Sequence, residues 1–334
     1  MKRGERMPID YLLKEVVAQK GSDLHLVVGT VPTMRLNGRL VPMGSSFITK
    51  EEVQDYMTVL LENQVKLIAK LKQENEVDFA YTLEEKWRFR VNIFKQRGSY
   101  SIALRFINHD IPSMKSLGLP DKTLEDLLAS TGLVLITGPT GSGKSTTLAS
   151  IVDYMNTTSA LHILTLEEPI EFVHSPKKSI LNQREIGIDC LSFTKGVHAA
   201  LREDPDVILI GEIRDVETMR IALVAAETGH LVLSTLHTLG AEQTIERVIN
   251  MFMPYEQKQI CIQLAGALSG VLSQQLVEKS DGGSREVAVE LMVCNDAIRN
   301  LIREGKIYQI YSVLQTSNNP RWICRSLSRL LPHG

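Results

Sequence analysis

The sequence lacks several features that mark common classes of protein. Its four cysteines, at positions 190, 261, 294 and 324, include no pair at C-x-x-C spacing, so zinc and redox motifs are not indicated and reduced thiols are expected. No apolar run is long enough to span a membrane. The amino terminus begins with basic residues but has no apolar segment behind them. We therefore expect no signal peptide and a cytoplasmic location.

An excess of charge of either sign is also missing. The chain has 37 lysines and arginines against 39 aspartates and glutamates, a formal net charge of −2 at pH 7. Nucleic-acid-binding domains usually carry a basic excess, so nucleic acid is not an expected partner. What the chain does have is apolar content: 43% of its 334 residues are hydrophobic, which is enough for sizeable cores and for about two domains.

The most informative stretch starts with a continuous apolar run, 133–136, which predicts a buried strand. A glycine-rich loop follows, and a helical pattern begins near Lys144. The loop satisfies the Walker A pattern, and the residues expected to hold phosphate are Gly138, Pro139, Thr140, Gly141, Ser142, Gly143, Lys144, Ser145 and Thr146. Glycines let backbone N–H groups turn inward around phosphates, and the helix N-terminus adds its positive dipole end. Lys144 is then expected to reach the β and γ phosphates, and Ser145 to ligate Mg²⁺.

The first third of the chain predicts an α+β domain with a mostly antiparallel sheet. Asn37-Gly38 between two strand-like runs is a strong hairpin signal. The predicted helices are 8–20 and 49–73, and the predicted strands are 21–28, the two arms of the hairpin within 31–40, 77–83, 87–94 and 100–107.

After a polar, proline-containing stretch the pattern changes to strands alternating with helices, which predicts a parallel sheet. The predicted strands are 134–137, 162–166, 207–210 and 231–235, and the predicted helices are 144–156, 193–203, 216–228 and 241–252. Such a sheet binds its ligand at the carboxyl ends of its strands. The predicted domain limits are 1–107 and 115–334, with 108–114 as the linker.

Two acidic segments follow predicted strands. The apolar run 207–210 leads to Glu212, which has the form of a Walker B element and is expected near Mg²⁺ or the attacking water. The strand 162–166 runs into Glu167, Glu168 and Glu171. A carboxylate there could orient and deprotonate the water, although a solvated acidic loop is the alternative.

Two further groups are candidates for the site. His230 and His237 flank the strand 231–235 at opposite ends, which is not a metal-ligand spacing. A core histidine, or a sensor that hydrogen-bonds the catalytic carboxylates, is favoured. Arg90, Arg97 and Arg105 are expected on adjacent strands and are candidates to neutralise the transferring phosphate, with solvated or structural roles as the alternative.

Together these motifs resemble those of the type IV pilus retraction ATPases, a branch of the secretion ATPase superfamily. The resemblance extends from about Pro8 to Thr316. The boxes GPTGSGKST, LTLEEPIEF, LREDPDVILIGEIRD and TGHLVLSTLHT occur in the family order, and residues 297–306 resemble the AIRNLIRE segment that marks the retraction branch.

The resemblance implies an α/β fold: a RecA-like P-loop ATPase core with a smaller N-terminal α+β, PAS-like domain. It implies a homo-hexameric motor that hydrolyses ATP with Mg²⁺, with the nucleotide between the two domains, to drive pilus retraction and twitching motility. The partner would be an inner-membrane pilus platform protein, through which alone the motor would contact the membrane at the pilus base. By motif, Glu171 matches the catalytic base, Glu212 the Walker B glutamate, and His230 and His237 the histidine box.

Two departures from the family pattern stand out. Glu168 replaces the usual aspartate, and the tail after Thr316 is shortened and altered. The segment around Arg299, Arg303 and Lys306 is expected to form one basic helical face. Such a face is usually only solvated, but the resemblance favours a surface that docks the platform. A pilus extension or type II secretion ATPase is the alternative, but we expect neither the extra N-terminal domain nor the four-cysteine zinc site that those proteins usually carry. A nucleotide-gated scaffold with little turnover remains a second alternative.

Overall fold

A computed structural model describes residues 7–84, 87–107, 111–278 and 285–316. Contacts divide the chain into two units, Met1–Asp110 and Ile111–Gly334. The boundaries predicted from the sequence, with a linker at 108–114, stay a prediction. Residues 108–110 of that linker and the altered tail after Thr316 lie outside the described ranges.

The first unit is built on an antiparallel sheet, as the sequence predicts. Its elements in chain order are α1 (Ile9–Ala18), β1 (Asp23–Val27), β2 (Thr33–Leu36), β3 (Arg39–Pro42), α2 (Lys50–Leu60), α3 (Val65–Glu74), β4 (Glu76–Leu83), β5 (Trp87–Gln96) and β6 (Ser99–Ile107). The strands pair in the order β3-β2-β1-β6-β5-β4. The hairpin prediction is confirmed, since Asn37 and Gly38 between β2 and β3 have φ of 49° and 80°.

The single helix predicted over 49–73 is wrong, because two helices occupy this stretch. Thr49 and Glu52 form a capping box that starts α2, and α2 ends at Leu60. Asn63 then adopts φ of 62°, a left-handed conformation that cannot continue a helix, before α3 begins at Val65.

The second unit contains a mixed sheet that is parallel over most of its width. Its elements are α4 (Asp121–Leu128), β7 (Gly132–Thr137), α5 (Lys144–Thr158), β8 (His162–Glu167), β9 (Ile180–Glu185), α6 (Phe193–Ala200), β10 (Val207–Ile210), α7 (Val216–Glu227), β11 (Leu231–Leu236), α8 (Ala241–Asn250), α9 (Pro254–Ala267), β12 (Leu268–Glu278), β13 (Arg285–Val293), α10 (Asp296–Arg303) and α11 (Ile310–Thr316). The strand order is β13-β12-β7-β11-β10-β8-β9, with β13 antiparallel to β12. The predicted alternation of strand and helix is confirmed, but the sequence analysis did not foresee β9, β12 and β13.

Helices cover both faces of this sheet, which explains the continuous apolar runs. Within β7, Leu133 and Leu135 pack into the core with α6–α11, while Val134 and Ile136 pack into the core with α4 and α5. Because the faces are filled, polar side chains collect where the strands end. In the described ranges, none of the helices has both the length and the apolarity to cross a membrane.

Candidate active site

Four parallel strands bring their carboxyl ends to one edge of the sheet. The neighbours β7, β11, β10 and β8 are in register over their last residues. The loops that follow them carry the glycine-rich segment, His237, Glu212 and the acidic segment, respectively. The sequence prediction that these groups meet at the strand ends is therefore confirmed.

The glycine-rich segment, residues 138–145, will be called the phosphate loop. Gly138, Gly141 and Gly143 have φ of 146°, 78° and 89°, a backbone region that residues other than glycine rarely adopt. A Cβ on Gly138 would lie 2.2 Å from the carbonyl oxygen of Gln274, so glycine is also required there by space. Lys144 starts α5, and the helix therefore presents its N-terminus to the loop, as anion binding requires.

Lys144 is largely buried and turns its ammonium group into the loop. Its Nζ donates to the carbonyl oxygens of Gly138 and Pro139 at 2.8 and 3.0 Å. Burial lowers the pKa of Lys144, and the negative charges of Glu212 and Glu171 partly oppose that shift.

A chain of polar contacts links Lys144 to the neighbouring strand ends. His237 Nδ1 lies 3.4 Å from Lys144 Nζ, and His237 Nε2 lies 2.9 Å from Glu212 Oε1. Arg214 continues the chain, since Nη2 lies 3.0 Å from Glu212 Oε2 and Nη1 donates to Glu168 Oε2 at 3.0 Å. His237 thus fits the predicted histidine that hydrogen-bonds an acidic site residue. Arg214 was not foreseen.

These polar contacts favour the ionised form of Glu212. Partial burial alone would raise the pKa of Glu212, but the hydrogen bond and charge of Arg214, together with the hydrogen bond from His237, outweigh burial and lower it. The extra methylene of Glu168 does not leave its carboxylate without a partner, because Arg214 reaches it.

The first part of the connection from β8 to β9, residues 168–174, will be called the acidic loop. Glu171 is exposed, and its carboxylate accepts no hydrogen bond from the described residues. The preceding Glu167 accepts hydrogen bonds from Thr165 Oγ1 at 2.7 Å and from Gln183 Nε2 at 3.2 Å. Burial raises the pKa of Glu167 in spite of these bonds. The two acids thus differ: Glu167 is half-buried and hydrogen-bonded, whereas the carboxylate of Glu171 is exposed and available to a ligand.

A fully buried glutamine on β12 contacts the phosphate loop from the side. Gln274 Nε2 donates to the carbonyl oxygen of Ser142 at 2.6 Å. The strand position follows from the register, which places Ser273 opposite Thr137, the last residue of β7. No local signal in the sequence singles out Gln274.

His230 lies away from this edge. It precedes β11 whereas His237 follows it, and the seven residue steps between the two histidines span about 23 Å. His230 Nδ1 lies 2.9 Å from the carbonyl oxygen of Ala225 and so holds the end of α7. The structure does not bring His230 together with Lys144, and its predicted catalytic role stays a prediction.

The three candidate arginines do not form one cluster. Arg90 and Arg105 are cross-strand partners on β5 and β6, with Nε atoms 3.8 Å from Asp78 Oδ1 and 2.9 Å from Asp23 Oδ1. The expectation that Arg97 lies on a strand is wrong. It occupies the turn between these strands with φ of 47°, about 23 Å along the hairpin from the other two. A role at phosphate stays a prediction for each of them.

The basic face predicted near the carboxyl end is wrong for Lys306. Gly305, with φ of 70°, follows the end of α10, so Lys306 is off the helix and pairs with Glu304 at 2.7 Å. Arg299 Nη1 donates to the carbonyl oxygens of Ala265 and Gly266 at 2.6 and 2.9 Å, at the end of α9. Its guanidinium therefore caps the carboxyl end of α9.

The chain is similar to known proteins over most of its length. Residues 5–326 match the family model described as type II/IV secretion system protein. YggR of Escherichia coli K12, described as uncharacterised, is 45% identical over 309 residues, 91% of this chain and 93% of that protein. The type IV pilus retraction ATPase PilT of Pseudomonas aeruginosa is 44% identical over 315 residues, 94% of this chain and 90% of that protein. The solved structure of the pilus retraction motor PilT with bound ADP matches with a TM-score of 0.88 at 47% identity and covers 93% of this chain and 90% of that one. The second unit thus has the RecA-like secretion ATPase fold that the sequence analysis expected.

Proposed function

Because this chain belongs to the family of type II/IV secretion system proteins, we propose that it is a hexameric ATP-hydrolysing motor that drives retraction of type IV pili. The observation that carries hydrolysis is the contact chain from Lys144 through His237 to Glu212 beside the phosphate loop. The load is inferred from relatives named as pilus retraction proteins, which match more than nine-tenths of this chain.

The phosphate loop is suited to hold the β and γ phosphates. Its left-handed glycines and the N-terminus of α5 supply N–H donors, and Lys144 supplies positive charge. Ser145 and Glu212 would hold Mg²⁺, which neutralises charge on the phosphate oxygens when bound. The ionised state of Glu212, maintained by Arg214 and His237, fits a metal ligand.

Glu171 is the proposed base. Its exposed carboxylate in the acidic loop can orient a water molecule and accept its proton. The water oxygen then bonds to the γ phosphorus, the bond to the ADP oxygen breaks, and phosphate leaves. His237, which links Lys144 to Glu212, couples the phosphate-binding cation to the metal-binding carboxylate.

The motor would work as a ring at the cytoplasmic side of the pilus base and would reach the membrane through a platform protein. ATP and ADP must then bind differently to two arrangements of the subunit, since only a differential affinity can shift a conformational equilibrium.

Two measurements test the proposal. The purified protein should release phosphate from ATP in the presence of Mg²⁺, and Lys144→Ala should not. Cells that lack the gene should carry abundant pili and not twitch. Bald cells would overturn retraction in favour of extension. An absence of phosphate release above the Lys144→Ala level would overturn the motor in favour of a nucleotide-gated scaffold.

A further inference from the structure

We propose that Gln183 and Glu185 on β9 are positioning residues that hold the acidic loop in the conformation from which Glu171 acts. This inference rests on the proposed function, because it assigns these side chains a part in the hydrolysis step. The two residues alternate with Arg184 and so lie on one face of the strand. Their parallel register places Gln183 opposite Thr165 and Glu185 opposite Glu167 on β8.

Gln183 makes three hydrogen bonds, two to the acidic loop and one to the residue before it. Its Nε2 donates to the carboxylate of Glu167 at 3.2 Å and to the carbonyl oxygen of Phe172 at 2.8 Å. Its Oε1 accepts from the backbone N–H of His174 at 2.8 Å. One planar amide thus fixes the residue before the loop and two residues within it, on both sides of Glu171.

Glu185 provides a fourth hydrogen bond to this region. It is buried, and its Oε2 accepts from the backbone N–H of Ile170 at 3.2 Å. Ile170 is itself buried and immediately precedes Glu171. The backbone on either side of Glu171 is therefore held by β9, whereas its carboxylate has no hydrogen-bond partner among residues 111–278.

This arrangement separates two tasks within the second unit. Phosphate binding depends on residues of β7, α5 and β12, whereas the position of the proposed base depends on β9 at the far edge of the sheet. A base that is misplaced by about 1 Å can lose on the order of 100-fold in rate while ligand binding is unaffected. Loss of the β9 contacts should therefore lower kcat and leave nucleotide affinity unchanged.

The test compares Gln183→Leu with Asn182→Leu in the full-length protein. Asn182 is the adjacent residue of β9, is exposed, and lies with its Nδ2 3.1 Å from His162 Nε2, so the same substitution there spares the acidic loop. For Gln183→Leu we expect kcat for ATP to fall at least about 10-fold, with KM and the Kd for ADP within about twofold of the parent. Asn182→Leu should retain parental kinetics.

A second pair of variants controls for misfolding. Glu185→Leu removes the acceptor for Ile170 N–H and should lower kcat, whereas Glu185→Gln keeps an acceptor oxygen and should restore most of it. In a Glu171→Gln background, Gln183→Leu should cost little more, because both substitutions act on one group.

The results distinguish a failure of the proposed function from a failure of the positioning role. If the parent protein does not hydrolyse ATP, the proposed function fails. If the parent hydrolyses ATP but Gln183→Leu retains parental kcat, loses nucleotide affinity, or costs as much in the Glu171→Gln background as alone, the positioning role is overturned.

Discussion

His237 Nε2 lies 2.9 Å from Glu212 Oε1, while the other ring nitrogen faces the Lys144 ammonium at 3.4 Å. A lysine ammonium can only donate, and an ionised carboxylate can only accept. The ring must therefore carry its proton on Nε2 and accept through Nδ1, which is the neutral tautomer that both neighbours select.

The first prediction concerns this ring. His237→Ala should reduce kcat for ATP about 10- to 100-fold, because Glu212 loses one of the groups that orient it as a metal ligand. The measurement is steady-state phosphate release over a range of Mg²⁺ concentrations, where the variant should need more Mg²⁺. His198→Ala serves as a control, since His198 is exposed on α6. Equal loss in both variants would contradict the assignment.

The second prediction concerns Glu171. Glu171→Gln should bind ATP with parental affinity and turn over about 10²- to 10⁴-fold more slowly, because the amide keeps the size of the side chain but cannot accept the water proton. Binding of labelled ATP and single-turnover phosphate release separate the two steps. Parental turnover in this variant would remove Glu171 from the base role.

The third prediction concerns the β12 contact with the phosphate loop. Gln274→Leu leaves the buried carbonyl of Ser142 without its hydrogen-bond donor. This should lower the free energy of unfolding by about 1–3 kcal/mol. If the loop relaxes to regain water, nucleotide affinity should fall roughly 10-fold or more. Gln275→Leu is the matched control, because its side chain lies on the opposite face of the strand. The Kd for ADP, measured by calorimetry, decides: similar values for the two variants would contradict a role for Gln274.

The fourth prediction concerns pH. His174 is buried, and burial lowers the pKa of its ring from 6.5 to about 4. The charge of Asp153 opposes this shift by a smaller amount, and the charge of Lys177 adds to it. The unfolded chain therefore binds a proton on this ring at a higher pH than the folded chain. The contribution of this ring to the free energy of unfolding is complete above about pH 6.5. It is lost as the pH falls toward 4, and the loss is at most about 3 kcal/mol.

Replacing the ring should remove that dependence. His174→Gln should show a flatter decline of the urea midpoint between pH 7 and pH 4.5 than the parent protein. His198→Gln, at an exposed position, should decline as the parent does. Identical slopes for parent and His174→Gln would show that the acid sensitivity of the fold arises elsewhere.

The sequence was sufficient where the signal is local. Buried strands read as apolar runs, and the glycines of the phosphate loop follow one of them directly, so both could be placed without a structure. The position of Glu212 was foreseen for the same reason.

Single polar residues with distant partners were not foreseen. Gln274 donates to a residue 132 positions away, and Arg214 reaches Glu168 across 46 positions. Gln183 lies in β9, a largely polar edge strand that lacks the apolar run of its neighbours. Nothing within a few residues distinguishes such side chains from solvated ones, because only the sheet order brings their partners close. The break at Asn63 was missed because the periodicity continues across it.

Asn156, in the last turns of α5, gives this helix a second attachment. It is fully buried, accepts from the backbone N–H groups of Lys177 and Ser179 at 3.0 and 3.4 Å, and donates to the carbonyl oxygen of Ser175 at 2.9 Å. Residues 175–179 connect the acidic loop to β9. At 1.5 Å per residue the 15 residues of this helix extend about 22 Å, with Lys144 at the first position and Asn156 near the last. One continuous helix therefore joins the phosphate loop to the segment that leads into β9, the strand whose side chains contact the acidic loop.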